Sequence, residues 1–204
     1  MPPPLTITQP KQILVEGKDA ASFFVAFLSD CNLTGFQIQD FGGINELRGF
    51  LKALKITPGF VEIVTSLAVI RDAESDPAAA FNSVCSALGA ANLPAPATPA
   101  NLVRDSPSVG VYILPDPHSG GMLESLCLRA VSLDPVAPCL ELYFNCLREV
   151  GHCPTNMDKA RFQAFLASRP RPGLLIGHAA NAGFLNFGSN EYDSLRLFLA
   201  NLWH

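Results

Sequence analysis

The sequence predicts an α/β fold, a parallel sheet with helices on both faces. Three observations lead there. Short apolar runs alternate with segments whose apolar residues recur at helical spacing. Those runs are continuously apolar rather than alternating, as strands buried on both sides must be. Of the 204 residues, 49% are hydrophobic and only 16% charged. A large core can therefore form, and intrinsic disorder, which needs low hydrophobicity and high net charge, is excluded.

The elements follow in order. Residues 1–11 carry four prolines and no periodicity, so they read as a loose leader. Gln12-Ile13-Leu14-Val15 is a buried-strand pattern ending at Glu16-Gly17. Asp19 is placed to cap the next helix, whose Phe23, Phe24, Phe27 and Leu28 share one face. Phe36-Gln37-Ile38-Gln39 is a second strand ending at Asp40. After the turn Gly42-Gly43, Asn45 is placed to cap a helix through Leu47, Phe50, Leu51 and Leu54, which Pro58-Gly59 ends. Ser66-Leu67-Ala68-Val69-Ile70 is the clearest buried strand. Asp76-Pro77 then opens a helix with Asp at the cap and Pro at its first position; Phe81, Val84, Cys85 and Leu88 form its inner face. Residues 90–108 read as a surface loop, and Val109–Leu114 as a fourth strand. Beyond Asp116 the character turns helical: Leu123–Val131, Pro138–Val150, Met157–Ser168 and Tyr192–Trp203, with a short strand near Leu174-Leu175-Ile176. This C-terminal part is expected to pack on the sheet.

Composition narrows the function. Fourteen Lys and Arg against eighteen Asp and Glu leave a net charge of −4, so nothing draws the whole chain towards polyanions. A nucleic-acid role would need a local basic patch or bridging cations. No apolar run approaches the roughly 18 residues of a membrane span, and the first residues lack the basic and apolar parts of a signal peptide. The expectation is a cytoplasmic protein without a membrane partner. Its six cysteines form no Cys-x-x-Cys pair. Cys31, Cys85, Cys127 and Cys146 read as reduced thiols in apolar segments, and Cys139 and Cys146 would share a helix face with Leu142 as core residues do. Signatures of dinucleotide binding, of the P-loop and of serine hydrolases are missing.

Acidic residues gather where the strands end: Glu16 and Asp19, then Asp40, then Asp72, Glu74 and Asp76, then Asp116. Ligands of open parallel sheets bind beyond the carboxyl ends of strands. Neighbouring strands are about 4.8 Å apart, so if the first and third are adjacent, Glu16 and Asp72 can share a hard cation, Mg²⁺ or Mn²⁺. Helix capping accounts equally for Asp19 and Asp76, and a turn role for Asp40. Glu16 faces a glycine turn and has no capping role. Lys18 and Arg71 flank the cluster, either to hold a phosphate or as solvated charges. His118 and Glu124 are weaker candidates.

Two of these segments resemble a known family. Ile13-Leu14-Val15-Glu16-Gly17-Lys18-Asp19 before an apolar helix resembles the first motif of the Toprim domain. That domain is shared by primases, topoisomerases and the overcoming-lysogenization-defect (OLD) nucleases. Val69-Ile70-Arg71-Asp72-Ala73-Glu74 resembles its second motif, Asp-x-Asp, with Glu74 one methylene longer and Asp76 as a substitute. Over nearly its whole length the chain resembles a stand-alone bacterial Toprim-like family of uncharacterised function, DUF3226. The carriers are Glu16–Asp19, Arg71-Asp72-Ala73, Ile113–Asp116, Gly121–Glu124 and Asp158–Arg161.

The resemblance implies a Toprim-like sheet of about four strands ordered 2-1-3-4 over residues 12–125, with residues 126–204 as a helical extension. It also implies Mg²⁺ or Mn²⁺ held by Glu16 and Asp72 with Glu74, Asp76 or Asp116, and phosphoryl transfer with Glu16 and Asp72 central. Two readings stand: a nuclease acting on nucleic acid, or a non-catalytic module that binds metal or a nucleotide and works with a partner protein. The low charge content also points to an apolar patch that a homodimer would cover.

Overall fold

The computed structural model of the chain describes residues 2–202. The chain forms an α/β fold around one five-stranded sheet, β1 (Lys11–Val15), β2 (Phe36–Asp40), β3 (Ser66–Asp72), β4 (Leu102–Val103) and β5 (Ser108–Leu114). Their order is β2-β1-β3-β5-β4. Strands β1, β2, β3 and β5 pair in parallel, and β4 is antiparallel to β5. The expected count of about four strands and the order 2-1-3-4 are corrected by β4. Its two residues lie inside the Ala- and Pro-rich stretch read as loop and are too few to leave a pattern.

Alternate residues of each strand feed two cores. Ile13, Val15, Ala68, Ile70, Tyr112 and Leu114 point to one face. There they meet the phenylalanines of α1 (Lys18–Asp30) and the inner faces of α5 (Leu123–Ala130), α7 (Met157–Ala167), α8 (Ile176–Asn181) and α9 (Asp193–Asn201). Leu14, Leu67, Val69, Val109, Val111 and Ile113 point to the other. They pack on α2 (Ile44–Lys55), α3 (Phe60–Ile63) and α4 (Pro77–Ala90). Burial on both sides is why the central strands β3 and β5 are almost continuously apolar, whereas edge strand β2 alternates Phe36 and Ile38 with Gln37 and Gln39. The expected strand near Leu174–Ile176 does not form: Leu175 is instead the N-cap of α8. The expected helix end at Trp203 lies outside the described residues.

The structure departs from the sequence reading in four further places. Residues 5–8 are not loose. The N–H of Leu5 donates to Gln39, that of Thr8 to Gln37, and Gln37 returns a bond to the Thr6 carbonyl, while Ile7 is buried. Gly17, not Asp19, precedes α1, and Gly43, not Asn45, caps α2. On α6 (Ala137–Glu149) the buried side chain is Phe144. Cys139, Leu142 and Cys146 are exposed, because α6 packs on α7 through the opposite stripe, which carries Phe144. All six cysteines are free thiols. Among the described residues no helix is long and apolar enough to cross a membrane.

Candidate functional site

Strand β1 delivers Glu16 and strand β3 delivers Arg71 and Asp72 to the same end of the sheet, because Val15 and Ile70 are register partners. Gly17 follows Glu16 at φ +87°, a backbone state open mainly to glycine, so the chain turns abruptly into α1. Asp40, ending β2, holds this turn: one carboxylate oxygen accepts the N–H groups of Gly17 and Gly42, both at 2.8 Å. After β3 the chain reaches Glu74, a non-glycine residue at φ +55°. It is kept there by reciprocal backbone bonds with Gly121, at 2.9 and 2.7 Å. A left-handed conformation in a residue with a side chain is costly, and such positions concentrate at functional sites.

Glu16, Arg71, Asp72 and Glu74 line a pocket of about 260 Å³ together with Glu124 and Lys159. Glu124 stands in the first turn of α5, and Lys159 in the first turn of α7. One hydroxyl ties the two helices: Ser125 accepts the N–H of Met122 and donates to Asp158. Glu124 and Lys159, each adjacent in sequence to one of those partners, come within 4.0 Å of one another. Asn156 caps α7 and also lines the pocket.

The electrostatics are those of crowded carboxylates. Burial pushes the Asp72 carboxyl up to about 7, and Glu124, Glu74 and Glu16 add repulsion, against the N–H of Leu123, which donates to Asp72 at 2.9 Å. Glu16 is also raised, first by burial and then by Glu74 and Asp40, while Arg71 and the N–H of Ile44 pull it down. Arg71 lends one guanidinium nitrogen to the Ala80 carbonyl.

The structure thus brings Glu16, Asp72, Glu74 and Arg71 together with the weaker candidate Glu124, and adds Lys159. It leaves three expected residues elsewhere. Asp76 is the N-cap of α4, accepting the Ala79 N–H at 2.9 Å, and does not line the pocket. Asp116 ion-pairs with Arg129 at 2.6 Å and accepts the N–H groups of His118 and Ser119. Partial burial works against its charge, yet Arg129 and those donors bring it down to about 2. Lys18 is exposed on α1 and does not line the pocket. His118 and Asp116 instead line a neighbouring cleft. Asp19 does line the pocket, but its carboxylate is taken by the N–H groups of Ile176 and Gly177 at the start of α8.

Lys159 was hidden in the sequence as a site residue because nothing local links it to a strand end. The [Asp/Asn]-x-x pattern of a capped helix at Asn156 signalled only a helix start.

Residues 10–204 match the model of a family described as "Protein of unknown function (DUF3226)". The chain belongs to that family. No curated protein matches this DUF3226 chain. Among solved structures it is similar to the C-terminal region of the Xanthomonas campestris pv. campestris OLD protein. The identity is 13%, the likeness covers 96% of this chain and 98% of that chain, and the TM-score is 0.45.

Proposed function

We propose that the acidic pocket is a divalent-cation site at which the chain carries out phosphoryl transfer, cleaving a phosphodiester of a nucleic acid. One observation carries the reading. Glu16, Asp72, Glu74 and Glu124 face a single pocket in which burial and mutual repulsion disfavour the charge of Asp72. A hard cation is the ordinary remedy for such crowding, and the two motif segments that resemble Toprim supply Glu16, Asp72 and Glu74.

The donor set is all oxygen, as Mg²⁺ and Mn²⁺ prefer. Glu16 and Asp72 would hold the ion, with Glu74 and Glu124 as further donors. A bound cation there would polarise a phosphate oxygen and orient a nucleophile. The chain's own groups have separate tasks. Arg71 and Lys159, both on the pocket wall, offer positive charge to the phosphate oxygens. Glu16, half-buried with its carboxyl raised by burial, would serve as cation ligand or as the acid/base of the transfer. Asp40 aims Glu16 by pinning the Gly17 turn.

A second reading has its own support. Among the described residues no group of three His, Cys, Asp or Glu side chains is set close enough to hold a metal ion. The net charge of −4 also gives little purchase on a phosphate backbone. A non-catalytic module that binds a cation or a nucleotide and works with a partner protein fits both facts.

Calorimetric titration with Mn²⁺ separates the readings, using wild type and Glu16→Gln with circular dichroism as the folding control. The catalytic reading expects saturable binding in wild type, its loss in E16Q, and Mn²⁺-dependent cleavage of a nucleic-acid substrate that E16Q abolishes. Binding without cleavage selects the second reading. Absence of Mn²⁺ binding, with and without a phosphodiester present, removes the catalytic reading and the cation-binding form of the second.

A further inference from the structure

A second cleft opens beyond the carboxyl end of β5, and at about 1150 Å³ it is several times larger than the acidic pocket. Its size reaches the range of small-molecule sites, about 300–1,000 Å³. The lining separates into three kinds of surface. Flat apolar walls come from Phe81 on α4 and from Pro77, Pro99, Pro115 and Pro117. Neutral amides come from three different segments: Asn82 on α4, Asn101 before β4, whose amide nitrogen donates to the Thr98 hydroxyl, and Asn190 before α9. Tyr112, 1% exposed, and Ser194 also line the cleft.

The charge of the lining selects the ligand. Its one cationic group of fixed charge among the described residues, Arg129, is matched by Asp116 at 2.6 Å, and Glu191 adds a negative charge. Phosphate-rich ligands are therefore unwelcome. A carboxamide presents a donor and an acceptor side by side, the complement of the edge of a nucleobase. The apolar walls suit the faces of such a ring.

We propose that this cleft binds a nucleoside, gripped by its base and independent of the acidic pocket. The proposal does not rest on phosphoryl transfer, and a non-catalytic chain would have the same cleft.

Titration of the full chain with each of the four ribonucleosides, followed by calorimetry, tests it, with ribose and a nucleoside monophosphate alongside. At least one nucleoside saturates, ribose does not bind, and the monophosphate gains nothing over its nucleoside. Ala78→Trp fills the cleft from an exposed position of α4 and lowers affinity at least tenfold. Asn82→Ala, also exposed on α4 and so tolerant of change, lowers it by about fivefold, the worth of one hydrogen bond. Glu16→Gln leaves it unchanged. The proposal is overturned if no nucleoside saturates, if ribose binds as well, or if the monophosphate binds ten times tighter. Binding lost in E16Q, or untouched in both cleft variants, overturns it equally.

Discussion

Asp72 and Asp116 occupy equivalent places, at or just beyond the ends of adjacent parallel strands, yet their carboxyls diverge from about 7 to about 2. The cause lies outside both strands. Asp116 receives a guanidinium from α5 and two N–H groups from its own loop. Asp72 receives one N–H and faces three other carboxylates. An acidic residue at a strand end is therefore a signal with two meanings. Helices that arrive later in the chain decide between a settled structural charge and an unsettled one.

Three substitutions would break or sharpen that contrast. The largest effect belongs to Asp72→Asn. In the folded chain Asp72 keeps its proton up to about pH 7, whereas its ordinary value is 3.8. The folded state thus binds the extra proton between those limits, and metal-free stability falls as pH rises through that window. Asp72→Asn removes the burden. It is expected to stabilise the metal-free chain at pH 8 by on the order of a few kcal/mol, with the gain vanishing towards pH 4. Urea denaturation at the two pH values reads it, and an equal gain at both contradicts the unsettled charge.

Arg129→Met converts the settled partner. Asp116 loses its guanidinium, and stability at pH 7 drops by about 1 kcal/mol, since both side chains are partly exposed. The Mn²⁺ titration stays as in wild type; a change there would join the two regions that the structure separates. Asp76→Ala is the mildest. It removes one cap bond, costs about 1 kcal/mol or less, and leaves cation binding intact. Weakened binding in that variant would return Asp76 to the acidic pocket.

Much of this was legible because the signals are local. Asp76-Pro77 announces the start of α4 in two letters, and the apolar runs of β1, β3 and β5 admit no other placement. Glu16 and Asp72 could be paired because a parallel sheet aligns strand ends. What stayed hidden depends on distant partners. Asp19 looks like a cap for α1 and serves α8, more than 150 residues onward in sequence. Lys159 enters the pocket only because Ser125 and Asp158 join α5 to α7. The stripe of Cys139, Leu142 and Cys146 has core spacing, but α6 buries its opposite stripe, with Phe144, against α7. Two-residue β4 leaves no periodicity to read.

The glutamines beneath the leader have a further consequence. Gln12 and Gln39 are almost fully buried. Gln39 donates to Gln12 at 2.7 Å, Gln12 donates to the Gln9 carbonyl and to Gln37, and Leu5, Thr6 and Thr8 take up what the side chains of Gln37 and Gln39 have left. These amides meet only when Gln12 lies opposite Gln37 and Leu14 opposite Gln39. A slip of one residue between β1 and β2 would carry both glutamines of β2 into the aromatic core beneath α1 and leave their amides without partners. The leader completes a polar lock that admits one alignment of the two strands, running along β1 and β2 from Gln12 to Gln39 and so guarding the placement of Glu16.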